Sequence, residues 1–355
     1  MRVVVTGATG NVGTSVVTAL GHDERVTEIV GLARRRPAWR DTERTRWVAA
    51  DITSAPLEEL FAGADAVIHL AWLIQPSRDE GVLEATNVHG SLRVFQAAAA
   101  AGVPTLVHAS SIGTYSPGPS DRRVTEDWPS DGIPSSFYSR HKAACERALD
   151  GLETRHPELR VVRLRPGLIF KRGSATEIRR LFAGPFLPSP LVRPGLILVV
   201  PDLPGLALQA VHADDVADAY RLAVVDPSAR GAYNIAAEPV LDVAELARLL
   251  RARPVRLHAG LVRALTTASW RLRLQPTPPG WLDMGLLGPI MDVTRARTEL
   301  GWEPRRSAGD ALLELLAGMR EGAGLPTPPL DPATSGPLRS RELAAGVGGR
   351  ADPGL

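Results

Sequence analysis

Gly7, Gly10 and Gly13 recur at intervals of three directly behind a short β-branched run, and this placement restricts the possible folds more than any other feature of the chain. Arg2-Val3-Val4-Val5 is too brief for a helix and suits a strand buried on both faces. Thr14 to Leu20 has helical character. The glycines therefore lie between a strand and a helix, the context in which such spacing carries information. Gly7 permits a tight turn, Gly10 lets the backbone approach a pyrophosphate, and Gly13 lets the helix pack closely on the strand. The helix N-terminus then offers N–H groups and a positive dipole end to phosphates.

A chain of 355 residues with 44% hydrophobic content can bury one large core or two joined ones. No run of eighteen apolar residues occurs and nothing at the N-terminus resembles a signal peptide, so we expect a cytoplasmic protein with no membrane partner. The single cysteine, Cys145, excludes an internal disulfide framework and reads as a buried, inert thiol. The formal charge is only +2, and no basic run is interleaved with aromatics, so no nucleic-acid partner is expected. Of 41 basic residues only Lys142 and Lys171 are lysines. Where arginine serves almost every generic need for positive charge, a lysine invites the question of what its ammonium does that a guanidinium cannot.

Strand and helix patterns alternate: strands at Val26–Leu32, Arg46–Ala49, Ala66–Leu70, Thr105–Ala109 and Arg160–Arg165, helices at Pro56–Phe61, Asp79–Gly102 and Val216–Val224, and a last strand at Tyr233–Ala236. The expected fold is α/β, a doubly wound parallel Rossmann sheet. After the second strand Ala33 stands where a carboxylate would accept the adenine-ribose hydroxyls, with Arg34 beside it. That exchange favours NADP as cofactor over NAD. His69, at the end of the fourth strand, reads as a satisfied strand-end residue rather than a catalyst.

The chemistry enters after the fifth strand, which ends in Ser110-Ser111. Downstream, Tyr138 and Lys142 stand four residues apart at the start of a helix and share one face. An adjacent ammonium is expected to stabilise a phenolate and lower the phenol pKa. The phenol could then give a proton to a carbonyl oxygen or take one from an alcohol.

With these motifs the chain resembles the extended short-chain dehydrogenase/reductases, the NAD-dependent epimerase/dehydratase family, from Met1 to about Gly318. The resemblance rests on Thr6-Gly7-x-x-Gly10-x-x-Gly13, Asp51-Ile52, His69-Leu70-Ala71, Asn87-Val88-x-Gly90, Ser110-Ser111, Tyr138-x-x-x-Lys142, Arg165-Pro166-Gly167, Val211-His212-x-Asp214-Asp215 and Glu299-Leu300-Gly301-Trp302. It implies Ser111, Tyr138 and Lys142 as the catalytic set, with Ser110 the less favoured serine. It implies a cofactor site of Gly7, Thr9, Gly10, Asn11, Val12, Gly13, Arg34, Asp51, Ile52, Leu70, Ala71, Asn87 and Pro166, joined by Tyr138 and Lys142, with no metal. A homodimer through the helices near 79–102 and 136–156 is a further expectation.

Departures from the family pattern narrow the reaction. Sugar-nucleotide dehydratases carry Thr-Asp-Glu where this chain has Ser111-Ile112-Gly113. The arginine that epimerases place four residues before the histidine of the Val-His motif is here Leu208, and Pro278 to Met291 contains no second arginine for a diphosphate. The expected activity is hydride transfer between NADP(H) and a carbonyl or alcohol on a small, fairly apolar substrate. A nucleotide-sugar epimerase on tightly held NAD, and a non-catalytic NADP-sensing module that could dispense with the tyrosine, are the alternatives. The sheet domain is expected at 1–166 plus about 211–236. A smaller interleaved C-terminal substrate lobe would take about 167–210 and 237–318, its Phe182–Leu208 and Leu261–Met284 stretches lining an apolar pocket. Residues 322–355, rich in Pro, Gly and Ala, read as a disordered tail.

Overall fold

The computed structural model describes residues 1–38, 43–74, 78–183 and 189–335. Residues 184–188 of the Pro-, Leu- and Val-rich stretch and 336–355 of the expected tail lie outside them. Seven parallel strands form the central sheet: β1 (Arg2–Thr6), β2 (Glu28–Ala33), β3 (Thr45–Ala49), β4 (Ala66–His69), β5 (Thr105–Ala109), β6 (Arg160–Pro166) and β7 (Gly231–Ile235). Their order is β7-β6-β5-β4-β1-β2-β3, so the winding reverses between β1 and β4. The expected doubly wound α/β sheet is the one observed.

The β-branched runs form strands because both faces of the sheet are covered. Val3 and Val5 enter one core with Val16, Val17 and Leu20 of α1 (Asn11–Gly21). Val4 enters the other with Val67, Leu106, Phe61 and Phe95. α1 begins at Asn11, three residues before the expected start, so the end of the glycine-rich loop is also the first helical turn. The helix expected at 79–102 runs over 80–100, with a π-turn at Ala85–Gly90 inside it. α2 (Phe137–Arg155) carries the Tyr-Lys pair, and α3 (Ala213–Val225) packs against α1.

Short pairings stitch the later segments to one another. Leu168–Phe170 runs parallel to Ala210–His212, Val199–Asp202 parallel to Arg253–Arg256, and Ala207–Leu208 antiparallel to Leu241–Asp242. Ile290–Met291 pairs with Arg123–Val124, which belongs in sequence to the sheet domain. Beyond them lie α4 (Ala259–Arg271), α5 (Pro279–Leu287) and α6 (Ala308–Glu321). No helix among the described residues is long and apolar enough to cross a membrane.

The disordered tail expected from Gly322 onward is corrected over 323–335. Leu330 and Thr327 are buried, and the Thr327 hydroxyl donates to the Thr9 carbonyl at 2.9 Å. Composition alone misjudged this segment because one apolar and one polar anchor suffice to hold a Pro-rich strap against a preformed surface.

Candidate active site

The reversal of strand order between β1 and β4 opens a crevice at their carboxyl ends, the place where open α/β sheets receive ligands. Gly7 turns the chain there at φ +68°, and a Cβ on it would meet the Ala71 nitrogen at 2.6 Å. A Cβ on Gly13 would collide with the Gly7 carbonyl oxygen. Both glycines are therefore required by the protein's own packing. Gly10 is different: its Cβ would meet only the Gly7 oxygen, at an ordinary 3.5 Å. The protein leaves that space open. No side chain caps α1, and its first turn holds no acidic residue, so its leading N–H groups and dipole face the crevice uncompensated. These features fit a dinucleotide pyrophosphate.

Lys171 stands behind the same helix end. Its ammonium donates to the Asn11 carbonyl at 2.6 Å, the Thr14 hydroxyl at 2.6 Å and the Ser15 hydroxyl at 3.1 Å. Three N–H donors meet three acceptors, an arrangement a planar guanidinium does not match. Burial pushes its pKa down to about 8, against the pull of Asp214, which also accepts from Ser15 at 2.7 Å. The sequence singled out Lys171 by rarity but gave it no task.

The residues expected at the adenine follow β2 and β3. Arg34 follows β2 directly, with its side chain exposed and the Asp51 carboxylate in electrostatic reach. Asp51 also accepts from the backbone N–H and hydroxyl of Thr53, at 2.8 and 2.7 Å, closing a local turn. Ile52 is buried at a point where Gly90 leaves room for its side chain. Asn87 is buried in the π-turn, its amide spent on the Leu73 backbone: Leu73 N–H donates to it at 2.7 Å and it donates to Leu73 O at 2.9 Å. It shapes the segment after β4, with Leu70 and Ala71, rather than presenting a group to the crevice. Pro166 ends β6 beside Ile235.

Ser111, Tyr138 and Lys142 converge at the carboxyl end of β5. Ser111 lies near enough to the Tyr138 phenol to draw its pKa down, and its oxygen accepts from Gly113 N–H at 3.0 Å. Ser110 is committed elsewhere: it donates to Glu146, which pairs in turn with Arg165 through a 2.8 Å contact. Arg165 bonds the Tyr115 hydroxyl at 3.0 Å, and Tyr115 donates to Asn234 at 2.6 Å. This buried chain spans partners too far apart in sequence for any spacing rule to reveal.

The expected lowering of the phenol pKa is not found. Burial pushes Tyr138 up to about 12 and Lys142 down to about 7. The Lys142 ammonium lies 5.8 Å from the Tyr138 ring centroid but only 3.5 Å from that of Trp72, and it donates to the Ala109 carbonyl at 2.6 Å. Helical spacing predicted a shared face, and burial outweighs the charge that this brings near. Tyr138 is held as a neutral phenol.

An aromatic wall surrounds it. The Trp281 ring, on α5, lies 4.9 Å from the Tyr138 ring, and Trp72 meets Tyr138 edge-on at 5.9 Å. Phe182 packs edge-on against Trp281 at 5.0 Å, and Met284 completes the cluster. Trp72 was missed in the sequence, although it directly follows the Leu70-Ala71 motif. His69 is satisfied as expected, contacting Thr6 at 2.7 Å and Ser91 at 2.8 Å, and burial lowers its pKa to about 3. Cys145 is buried, its thiol pushed up to about 11.

The family model described as "NAD dependent epimerase/dehydratase family" matches residues 3–236. The chain belongs to this family. Among solved structures similar to this epimerase/dehydratase family member is UDP-glucose 4-epimerase from Thermotoga maritima with UDP-glucose, with a TM-score of 0.67 and 20% identity over 90% of this chain and 99% of that one. Another is MoeE5 in complex with UDP-glucose and NAD, at TM-score 0.64 and 22% identity over the same shares. Over 335 residues the chain is 28% identical to Uncharacterized protein Rv2047c of Mycobacterium tuberculosis, covering 92% of this chain and 31% of that protein. The chain thus spans about a third of that relative's length. YbjS of Escherichia coli is 24% identical over 92% of this chain and all of its own length.

Proposed function

We propose that this family member is an NADP-preferring oxidoreductase acting on a carbonyl or alcohol of a small, fairly apolar substrate. The observation that carries the substrate class is the wall of Trp281, Trp72, Phe182 and Met284 around Tyr138. Leu208, in place of an arginine that would hold a sugar-nucleotide diphosphate, points the same way. Pockets lined by aromatic and apolar side chains reward apolar ligands and exclude water.

The residues fit the roles implied by their positions. The loop of Gly7, Thr9, Gly10, Asn11, Val12 and Gly13 holds the pyrophosphate at the end of α1, with Lys171 adding positive charge behind it. Arg34 meets the 2′-phosphate of NADP. When bound, the dinucleotide supplies hydride chemistry at its nicotinamide. Tyr138, neutral at rest, donates its proton to the carbonyl oxygen, and Ser111 orients that oxygen. Lys142, charged below about pH 7, stabilises the phenolate left behind.

Net oxidation of NADPH by a panel of alkyl and aryl aldehydes and ketones tests this proposal. Steady loss of NADPH, faster than loss of NADH, is the expected result. A second reading, the nucleotide-sugar epimerase, draws support from the likeness to proteins solved with UDP-glucose. It predicts interconversion of UDP-sugars on NAD that co-purifies, with no net change in reduced cofactor. A homodimer through the helices at 80–100 and α2 is part of the proposal, with light scattering as its measurement.

A further inference from the structure

α4 is mounted with its apolar side outward. None of its residues is buried. Leu261, Ala264, Leu265, Ala268 and, at the C-terminal cap, Leu272 recur at the spacing of one helical face, and all five are exposed. The three leucines are 56%, 61% and 70% exposed in that order. Val262, Thr266, Ser269 and Trp270 form the half-buried side, and Arg263 fastens the helix to α5 through Asp283 at 2.7 and 2.9 Å. Single exposed apolar residues need no explanation, whereas a contiguous stripe marks a contact surface.

The segment that carries the stripe is basic in sequence, and three of its arginines, Arg248, Arg256 and Arg263, pair with Glu245, Asp202 and Asp283. Between Glu245 and Asp283 the chain holds seven arginines and no carboxylate. Arg271 and Arg273 flank Leu272, all three exposed. The strand Arg253–Arg256 that leads into α4 is exposed along its whole length and carries Val255 between arginines. Leucines on one face and arginines at its margins describe a helix that lies in a membrane interface.

We propose that this face of α4 docks on an anionic phospholipid surface, its leucines entering the headgroup–acyl boundary and its arginines meeting lipid phosphates. A second copy of the chain suits the face poorly, because a two-fold contact would set these arginines against their own counterparts. Docking here would lay the membrane beside α5, which carries Trp281 and Met284 to Tyr138. The proposal stands on exposure and charge and holds whether or not the catalytic reading does. It departs from the expectation of no membrane partner, because the sequence shows a helical period but not which side of the helix is covered.

Flotation of the full chain with vesicles of equal parts phosphatidylglycerol and phosphatidylcholine, and with phosphatidylcholine alone, tests it. The expected result is binding to the anionic vesicles only. The triple variant Leu261→Ser/Leu265→Ser/Leu272→Ser should bind them about tenfold more weakly or less, and Arg271→Gln/Arg273→Gln should also lose binding. Both should keep the wild-type melting temperature, since every altered side chain is exposed. Absence of binding to anionic vesicles would overturn the proposal, as would binding that the leucine variant leaves intact. A wild-type dimer that the leucine variant makes monomeric would assign the face to a second copy. Binding that appears only after removal of residues 336–355 would assign it to that segment. Either result would equally overturn the proposal.

Discussion

The Lys171 ammonium lies 2.6 Å from the carbonyl oxygen of Asn11, the first residue of the helix whose N-terminus faces the crevice between β1 and β4. A buried cation there raises the positive potential at the helix end and ties the loop's helical turn to residue 171. Lys171→Met is expected to weaken NADPH binding about tenfold, the scale of one charge-assisted contact. Lys171→Arg should not restore it, since the fork cannot address three converging acceptors. With a pKa near 8, the ammonium is charged below that pH and loses its proton above it. Cofactor affinity should therefore fall as pH rises through about 8, and Lys171→Met should lose that dependence. Nicotinamide fluorescence titrations at several pH values measure both.

The three glycines of the loop should separate in their effects. Gly7→Ala and Gly13→Ala place a Cβ against backbone, at Gly7 also with φ +68°, and should each lower stability by about 2 kcal/mol or more. Gly10→Ala meets nothing closer than 3.5 Å within the protein and should melt like the wild type while losing most NADPH affinity. Paired thermal melts and titrations distinguish the two classes.

Trp281 reaches Tyr138 from α5, so it should govern which substrates fit rather than the proton transfer itself. Trp281→Ala is expected to raise KM for an apolar aldehyde about tenfold, with a smaller change in kcat. Steady-state kinetics on a series of alkyl chain lengths would show the penalty growing with apolar bulk.

Much of the sheet was legible because strands covered on both faces are written as unbroken β-branched runs: Val3-Val4-Val5 and Ala66-Val67-Ile68 could hardly be otherwise. The convergence of Ser111 with Tyr138 was legible only through resemblance, since nothing in the local pattern of either segment brings them together. The π-turn at Ala85–Gly90 was hidden inside a helical period. The Glu146–Arg165 pair and the stacking of Lys142 on Trp72 depend on three-dimensional packing, and so does the raised pKa of Tyr138. The strap at 323–335 was misread because composition reports average polarity, whereas Thr327 and Leu330 act as single anchors.

Arg34 should decide the choice of dinucleotide. Arg34→Glu is expected to remove a partner for the 2′-phosphate and repel it, shifting preference from NADPH toward NADH by about a hundredfold in the ratio of dissociation constants. Side-by-side titrations with both cofactors measure the ratio, and an unchanged ratio would remove Arg34 from the site.

The most direct measurement of the central claim is NADPH turnover by wild type and Tyr138→Phe on the same apolar carbonyl substrate, with NADPH affinity determined for both. The phenylalanine keeps the ring that packs on Trp281 and Trp72 and removes only the hydroxyl. The account predicts near-equal NADPH binding and a loss of turnover of about a thousandfold or more. Turnover that survives in Tyr138→Phe, or a wild type that interconverts UDP-sugars while leaving NADPH untouched by every carbonyl offered, would contradict it.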